Sequence, residues 1–167
     1  AARTAMHTRP APVVTSSAPA KPQPTGPDYL LVDGYNVIFA WDELRKMAET
    51  NLDAARRRLM DILCNYAGYK RCVPILVFDA YKVRGGTREV EKHHNLYVVY
   101  TQEAETADMY IERTTHELSK DHRTRVVSSD GAEQIIVLGN GALRVSARAF
   151  AEEVAAVEKE IREFLQN

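Results

Sequence analysis

Six residues of this chain have the side-chain types of a hydrolytic metal site: Asp33, Asn36, Asp79, Glu105, Asp108 and Asp130. Asp33, Asp79 and Asp130 each close a short apolar run: YLLVD (29–33), VPILVFD (73–79) and TRVVSSD (124–130). Glu105 and Asp108 open a further stretch, ETADMYIERTTHELSK (105–120). Carboxylates gathered in one hollow repel one another and raise one another's pKa unless cations neutralise them. Oxygen-only donors suit hard divalent ions, Mg²⁺ or Mn²⁺. A carboxylate nest of this kind, loaded with one or two such ions, is the recurrent apparatus of phosphodiester hydrolysis. Asn36, just past Asp33, has the reach to orient that acid or to hold a metal-bound water.

Each acid also has an ordinary reading. Asp33-Gly34 alone is a common turn, and Asp79 can simply end a strand. Asp108 suits the positive end of a helix dipole, Asp130 suits an N-cap, and Glu105 can be an exposed surface acid. The collective reading therefore depends on whether the fold brings these positions together.

The elements predicted around them do so. YLLVD, VPILVFD, LYVVY (96–100) and TRVVSSD are short apolar runs of the kind found in strands buried on both faces. TNLDAARRRLMDILCNYAGY (50–69) places Leu52, Ala55, Leu59, Ile62, Leu63 and Tyr66 on one helical stripe, with Thr50 and Asp53 as cap candidates and Gly68 marking its end. A second helix is predicted over 105–120, with Ala107, Tyr110, Ile111, Thr114 and Leu118 inward. If it already runs at Glu105, the i, i+3 spacing puts Glu105 and Asp108 on one face. GAEQIIVLG reads as a short helix or turn leading to a weak apolar run. SARAFAEEVAAVEKEIREFLQ (146–166) is a closing helix, capped by Ser146, with Phe150, Val154, Val157, Ile161 and Phe164 on one face.

Alternation of strands and helices calls for an α/β fold: a mostly parallel central sheet with helices on both faces. Ligands of such sheets bind beyond the carboxyl ends of the strands, near the point where strand order reverses. The acids at strand ends would meet there.

Bulk properties exclude other classes. At 167 residues, 45% hydrophobic and 27% charged, the chain describes one globular domain with an appendage. No run of apolar residues is long enough to span a membrane. Cys64 and Cys72 are too few for a disulfide framework and fit a reducing cytoplasm. Residues 1–28 are rich in Pro, Ala and Thr and read as a disordered linker to an upstream domain, with 29–167 as the folded unit. A transit peptide, and hence an organellar location, is the competing reading of that basic, acid-free segment. Residues 1–27 carry a net charge of +3 and residues 29–167 a net of −3. A slightly acidic domain lacks the excess of Lys and Arg used by generic nucleic-acid binders, so any such contact must be local and supported by a larger partner.

The link AYKVRGGTREVEKHH (80–94) supplies a local basic patch. Lys82, Arg84, Arg88 and Lys92 outnumber Glu89 and Glu91, and the link starts at the rim that carries the acids. It suits a phosphate backbone gripped beside a metal site, or else a solvated hairpin. Arg56, Arg57 and Arg58 read as the wet face of a helix or a second patch. GNGA (139–142) lacks the full dinucleotide-binding pattern and reads as a turn.

Six blocks in order, LLVDGYNVI, ARRRLMDIL, VFDAYKVRGG, VVYTQEAETADMYIE, VVSSDGAEQ and LGNGALRVSAR, resemble the YacP-like NYN domains, which are PIN-like ribonucleases. The resemblance implies a PIN-like Rossmannoid three-layer sandwich and a divalent-metal-dependent endoribonuclease. It maps the family's first Asp and Asn onto Asp33 and Asn36, its E-T-A-D acids onto Glu105 and Asp108, and its S-D acid onto Asp130. Asp33, Asp108 and Asp130 would then bind Mg²⁺ or Mn²⁺, with Glu105 and Asn36 assisting and Asp79 an additional acid. Lys82, Arg84, Arg88 and Lys92 would hold RNA. The implied partners are mRNA and the ribosome, and related domains are appended to ribosomal-protection-type GTPases. A non-catalytic RNA- or ribosome-binding module of the same fold is the alternative. A phosphohydrolase with a nucleophilic Asp is a further rival, but Tyr35 stands where that chemistry wants a second acid.

Overall fold

The computed structural model describes residues 26–79, 89–128 and 141–167, and the backbone of 136 and 137. Elements follow in the order β1 (Tyr29–Asp33), α1 (Gly34–Ala40), α2 (Asp42–Thr50), α3 (Leu52–Lys70), β2 (Val73–Phe78), β3 (Glu89–His93) and β4 (Leu96–Tyr100). After these come α4 (Ala107–Leu118), β5 (Thr124–Ser128), β6 (Ile136–Val137), β7 (Leu143–Ser146) and α5 (Ala147–Gln166).

One seven-stranded sheet runs in the order β3-β4-β2-β1-β5-β7-β6. The inner pairs β4-β2, β2-β1, β1-β5 and β5-β7 are parallel, and only the edge strands β3 and β6 are antiparallel. From β1 the chain first builds outward through β2 and β4, then returns to the other side of β1 with β5. The order therefore reverses at β1, where Asp33 ends the strand.

Strand residues alternate between two cores, as the pleat requires. Leu30, Val32, Leu76, Phe78, Val98 and Val127 pack with α1, α3 and α5. Leu31, Ile75, Val77, Val99 and Val126 pack with Ala107 and Ile111 of α4. Helices thus cover both faces, giving the expected three-layer α/β sandwich.

Several elements depart from the sequence reading. Gly34–Ala40 and Asp42–Thr50, to which the sequence reading gave no element beyond the Asp33-Gly34 turn, form two helices. Asp33 caps α1 through Asn36, and α2 buries Leu44. The cap of α3 is Asn51, whose side chain accepts from Ala54 N at 3.0 Å, in place of Thr50 or Asp53. That helix runs past Gly68 and ends where Arg71 takes a left-handed conformation at φ 57°. The link after β2 yields an edge strand over Glu89–His93, every residue of it exposed. Ser146 caps α5 by accepting from Ala149 N at 3.1 Å, as predicted. No helix among the described residues is long and apolar enough to cross a membrane.

Candidate functional site

Asp33 is the last residue of the central strand and the N-cap of α1, and it is only 5% exposed. Asn36 contacts both of its carboxylate oxygens. The backbone N–H of Asn36 donates to Oδ1 at 3.4 Å, and its carboxamide Nδ2 donates to Oδ2 at 2.7 Å. The sharp turn from β1 into α1 needs Gly34, because a Cβ there would stand 2.2 Å from Phe78 Cε1. Phe78 is fully buried at the end of β2, so the turn lies against the neighbouring strand with no room for a side chain.

Asp33 is electrostatically strained. Burial pushes its carboxyl up to about 6, and the charges of Asp108 and Asp79 push in the same direction. The hydrogen bonds from Asn36 oppose them without cancelling them. The acids following β2 and opening α4 thus lie close enough to raise Asp33, although 75 positions separate Asp33 from Asp108.

Asp79 follows β2 and accepts a hydrogen bond from Ala107 N through Oδ1. Together with Thr106, whose hydroxyl accepts from Met109 N at 3.2 Å, it satisfies the first turn of α4. Asp79 therefore locks the start of α4 to the end of β2 and fixes where Asp108, in that first turn and exposed, sits along the rim.

Glu105 requires a correction. The cap of α4 is Thr106 and the helix starts at Ala107, so Glu105 precedes it and does not share a helical face with Asp108. Its carboxylate instead pairs with Arg113 Nη2 at 2.8 Å and is 9% exposed. Thr101 Oγ1 also donates to the Glu105 carbonyl at 2.8 Å, which holds the bend between β4 and α4.

Lys92 lies on β3 opposite Tyr97, three residues short of the rim end of β4, with Nζ 5.6 Å from the Tyr97 ring centre. Lys82, Arg84, Arg88 and Asp130 lie outside the described residues. Arg56, Arg57 and Arg58 are paired on the helix surface: Arg56 and Arg57 with Asp53, Arg58 with Glu43.

The described residues hold no group of three or more His, Cys, Asp or Glu side chains able to bind a metal ion. The donor chemistry nevertheless fits a divalent cation. Asp33 keeps acceptor capacity beyond its two bonds from Asn36. A cation would also relieve the burial and like-charge cost already carried by that acid.

From Asp108 a cleft of about 830 Å³ extends along α4, lined by Met109, Arg113, His116, Ser128 and Arg144 among others. Arg144 donates from Nε to Ser128 Oγ at 2.8 Å, tying β7 to the end of β5. Neither arginine was singled out from sequence. Each stands alone in it, and only the fold sets them along the cleft that Asp108 opens.

Comparison with known proteins agrees with this architecture. The YacP-like NYN domain family matches over residues 30–167. The chain is 38% identical over 135 residues to "Uncharacterized protein YacP" of Bacillus subtilis (strain 168), covering 80% of this chain and 79% of that one. The crystal structure of Rae1 (YacP) from Bacillus subtilis superposes with a TM-score of 0.69 at 37% identity, over 83% of this chain and 80% of that one. A mutant of the same protein gives a TM-score of 0.68 at 36% identity, over 81% and 80% of the two chains. The sheet order, the acid-bearing turn after β1 and these matches together place the chain in the YacP-like NYN domain family.

Proposed function

We propose that this domain is a divalent-metal-dependent endoribonuclease acting on mRNA at the ribosome. Membership of the family supports a nuclease-type, RNA-related function. The observation that carries the finer reading is Asp33: a buried acid at the strand-order switch point, under the fields of Asp108 and Asp79, its pKa pushed up to about 6. A buried carboxylate so placed is costly unless something cationic offsets it.

Asp33, Asp108 and Asp130 would hold Mg²⁺ or Mn²⁺, with Asp79 fixing the first turn of α4. When bound, the ion supplies Lewis-acid polarisation of the phosphate and a more acidic water. The chain's own residues then have three tasks. Asn36 keeps the Asp33 carboxylate in one orientation, so that it is preset before RNA arrives. The Asp79 contact to Ala107 N keeps Asp108 at the rim. The basic residues Lys82, Arg84 and Arg88 would supply positive charge for the RNA backbone. Hydrolysis would leave a 5′-phosphate and a 3′-hydroxyl. Delivery by the ribosome would account for a folded unit whose net charge is −3.

The test is to incubate the protein with end-labelled RNA and with translating ribosomes, in Mn²⁺ or in EDTA, and to map the ends. Cleavage in Mn²⁺ alone, stronger on ribosomes, supports the reading. Binding without turnover under every condition would leave a non-catalytic RNA-binding module instead.

A further inference from the structure

We infer that Arg113 is a clamp for one phosphate of the RNA strand, held in position by Glu105. The inference rests on the ribonuclease reading above, and it names a side chain that grips the strand along the cleft shared with Asp108.

A surface ion pair by itself signifies little, because water screens it and ordering two long side chains costs entropy. Pairs of that kind occur here: in Arg57–Asp53, Arg58–Glu43 and Lys120–Glu117 both partners are exposed. Glu105–Arg113 is built differently. The Glu105 side chain is 9% exposed and that of Arg113 is 56% exposed. A carboxylate withdrawn from water needs a cationic partner, which Arg113 Nη2 supplies at 2.8 Å. A guanidinium presents more N–H donors than one carboxylate oxygen can use. Arg113 also rests on an aromatic face, its Cζ 5.7 Å from the ring centre of Tyr110, one turn earlier. So held, the side chain loses little further rotamer freedom when an anion binds its exposed side.

Its place is the second observation. Helical side chains lean toward the N-terminus of their helix. Arg113, on the second turn of α4, reaches back to the bend before Ala107, the end of the helix that carries Asp108. Asp108 and Arg113 line the same cleft of about 830 Å³. A fixed guanidinium matches the paired oxygens of a phosphate. Glu105 is on this account a positioning residue for Arg113 and takes no part in holding the metal.

The test uses single-stranded RNA oligonucleotides carrying one neutral methylphosphonate linkage at each position in turn. Binding is measured on the Asp33→Asn background so that no turnover intervenes. With Arg113 present, one position should weaken binding about tenfold, and in Arg113→Ala that position should weaken it no further. Arg113→Ala should also flatten the slope of log affinity against log salt by about 0.7, as for one lost phosphate contact on a single strand. Glu105→Ala keeps the charge but releases it, so the salt slope should persist while the sensitivity spreads over neighbouring phosphates. Glu105→Gln, which still accepts from the guanidinium, should restore the single sensitive position. With Asp33 intact, Glu105→Ala should bind Mn²⁺ as tightly as the wild type, and Arg113→Ala should raise KM about tenfold with kcat nearly unchanged.

Equal loss at the sensitive position with and without Arg113, or lost Mn²⁺ affinity in Glu105→Ala, would overturn the inference. The two readings fail separately. Cleavage that is indifferent to Arg113 removes the clamp and leaves the nuclease, whereas a phosphate position that depends on Arg113 without any cleavage removes the nuclease and leaves the clamp. Absence of RNA binding removes both.

Discussion

The Asn36 carboxamide donates to Asp33 Oδ2 at 2.7 Å, three residues along a helix that Asp33 itself caps. The same short turn thus ends the central strand, starts a helix and orients the acid. Asn36→Ala removes this bond and leaves the backbone N–H contact in place. A hydrogen bond to a charged partner contributes about 1.5–3 kcal/mol net, so a loss of that order in stability is expected, visible as a lowered denaturant midpoint. Cleavage should slow about tenfold or more through lost orientation. Full activity in this variant would mean that the carboxamide does not set the acid.

Burial and neighbouring acids raise Asp33 to about 6 in the metal-free protein, from an ordinary value of 3.8. The sign follows from proton counting. Between those values the folded state binds more protons than the unfolded one, so stability falls as pH rises through the interval. Its contribution is intact below about pH 4 and lost above about pH 6, a difference of about 3 kcal/mol. Urea unfolding in EDTA across this range should show the decline, and Asp33→Asn should flatten it. An identical pH profile in both proteins would contradict the burial account.

Gly34 is confined by a neighbouring strand. A Cβ at this position meets three atoms of the Phe78 ring within 2.9 Å, and that ring is wedged between Tyr35 and Tyr100. Gly34→Ala is expected to cost about 1–3 kcal/mol by overpacking. Phe78→Leu should be harmful alone yet recover part of the loss in the double variant, and thermal melts of the four proteins measure this coupling. Strict additivity would place the strain elsewhere.

Asp79 is assigned a positioning role, because its Oδ1 accepts from Ala107 N. Asp79→Asn retains a carbonyl acceptor, so α4 should stay anchored and activity should remain within about tenfold of the wild type. Asp79→Ala should cost about 1 kcal/mol, as for loss of a cap. If the amide variant were as inactive as a variant of Asp33, the charge of Asp79 would have a direct part in the chemistry.

Much of this was legible in the sequence, and what was not has physical causes. Strands β1, β2, β4 and β5 were readable because burial on both faces makes them continuous apolar runs. Helices α3 and α5 were readable because a single stripe faces the core. Helix α1 is seven residues long and apolar or aromatic at most positions, too short to show a period. Strand β3 is exposed along its whole length and shows no alternation. Asp33 and Asn36 stood out because an acid and an amide follow a buried strand. The pair Glu105–Arg113 did not, since its eight-residue spacing becomes a contact only when the cap falls at Thr106.

The most direct measurement is manganese binding by calorimetry alongside RNA cleavage, for the wild type and for Asp33→Asn and Asp108→Asn. Asn retains the capping geometry at Asp33, so both variants should stay folded. The account predicts that the wild type binds Mn²⁺ and cleaves, and that each variant loses both, with cleavage down about a hundredfold or more. Wild-type metal affinity and cleavage rate in either folded variant would contradict it.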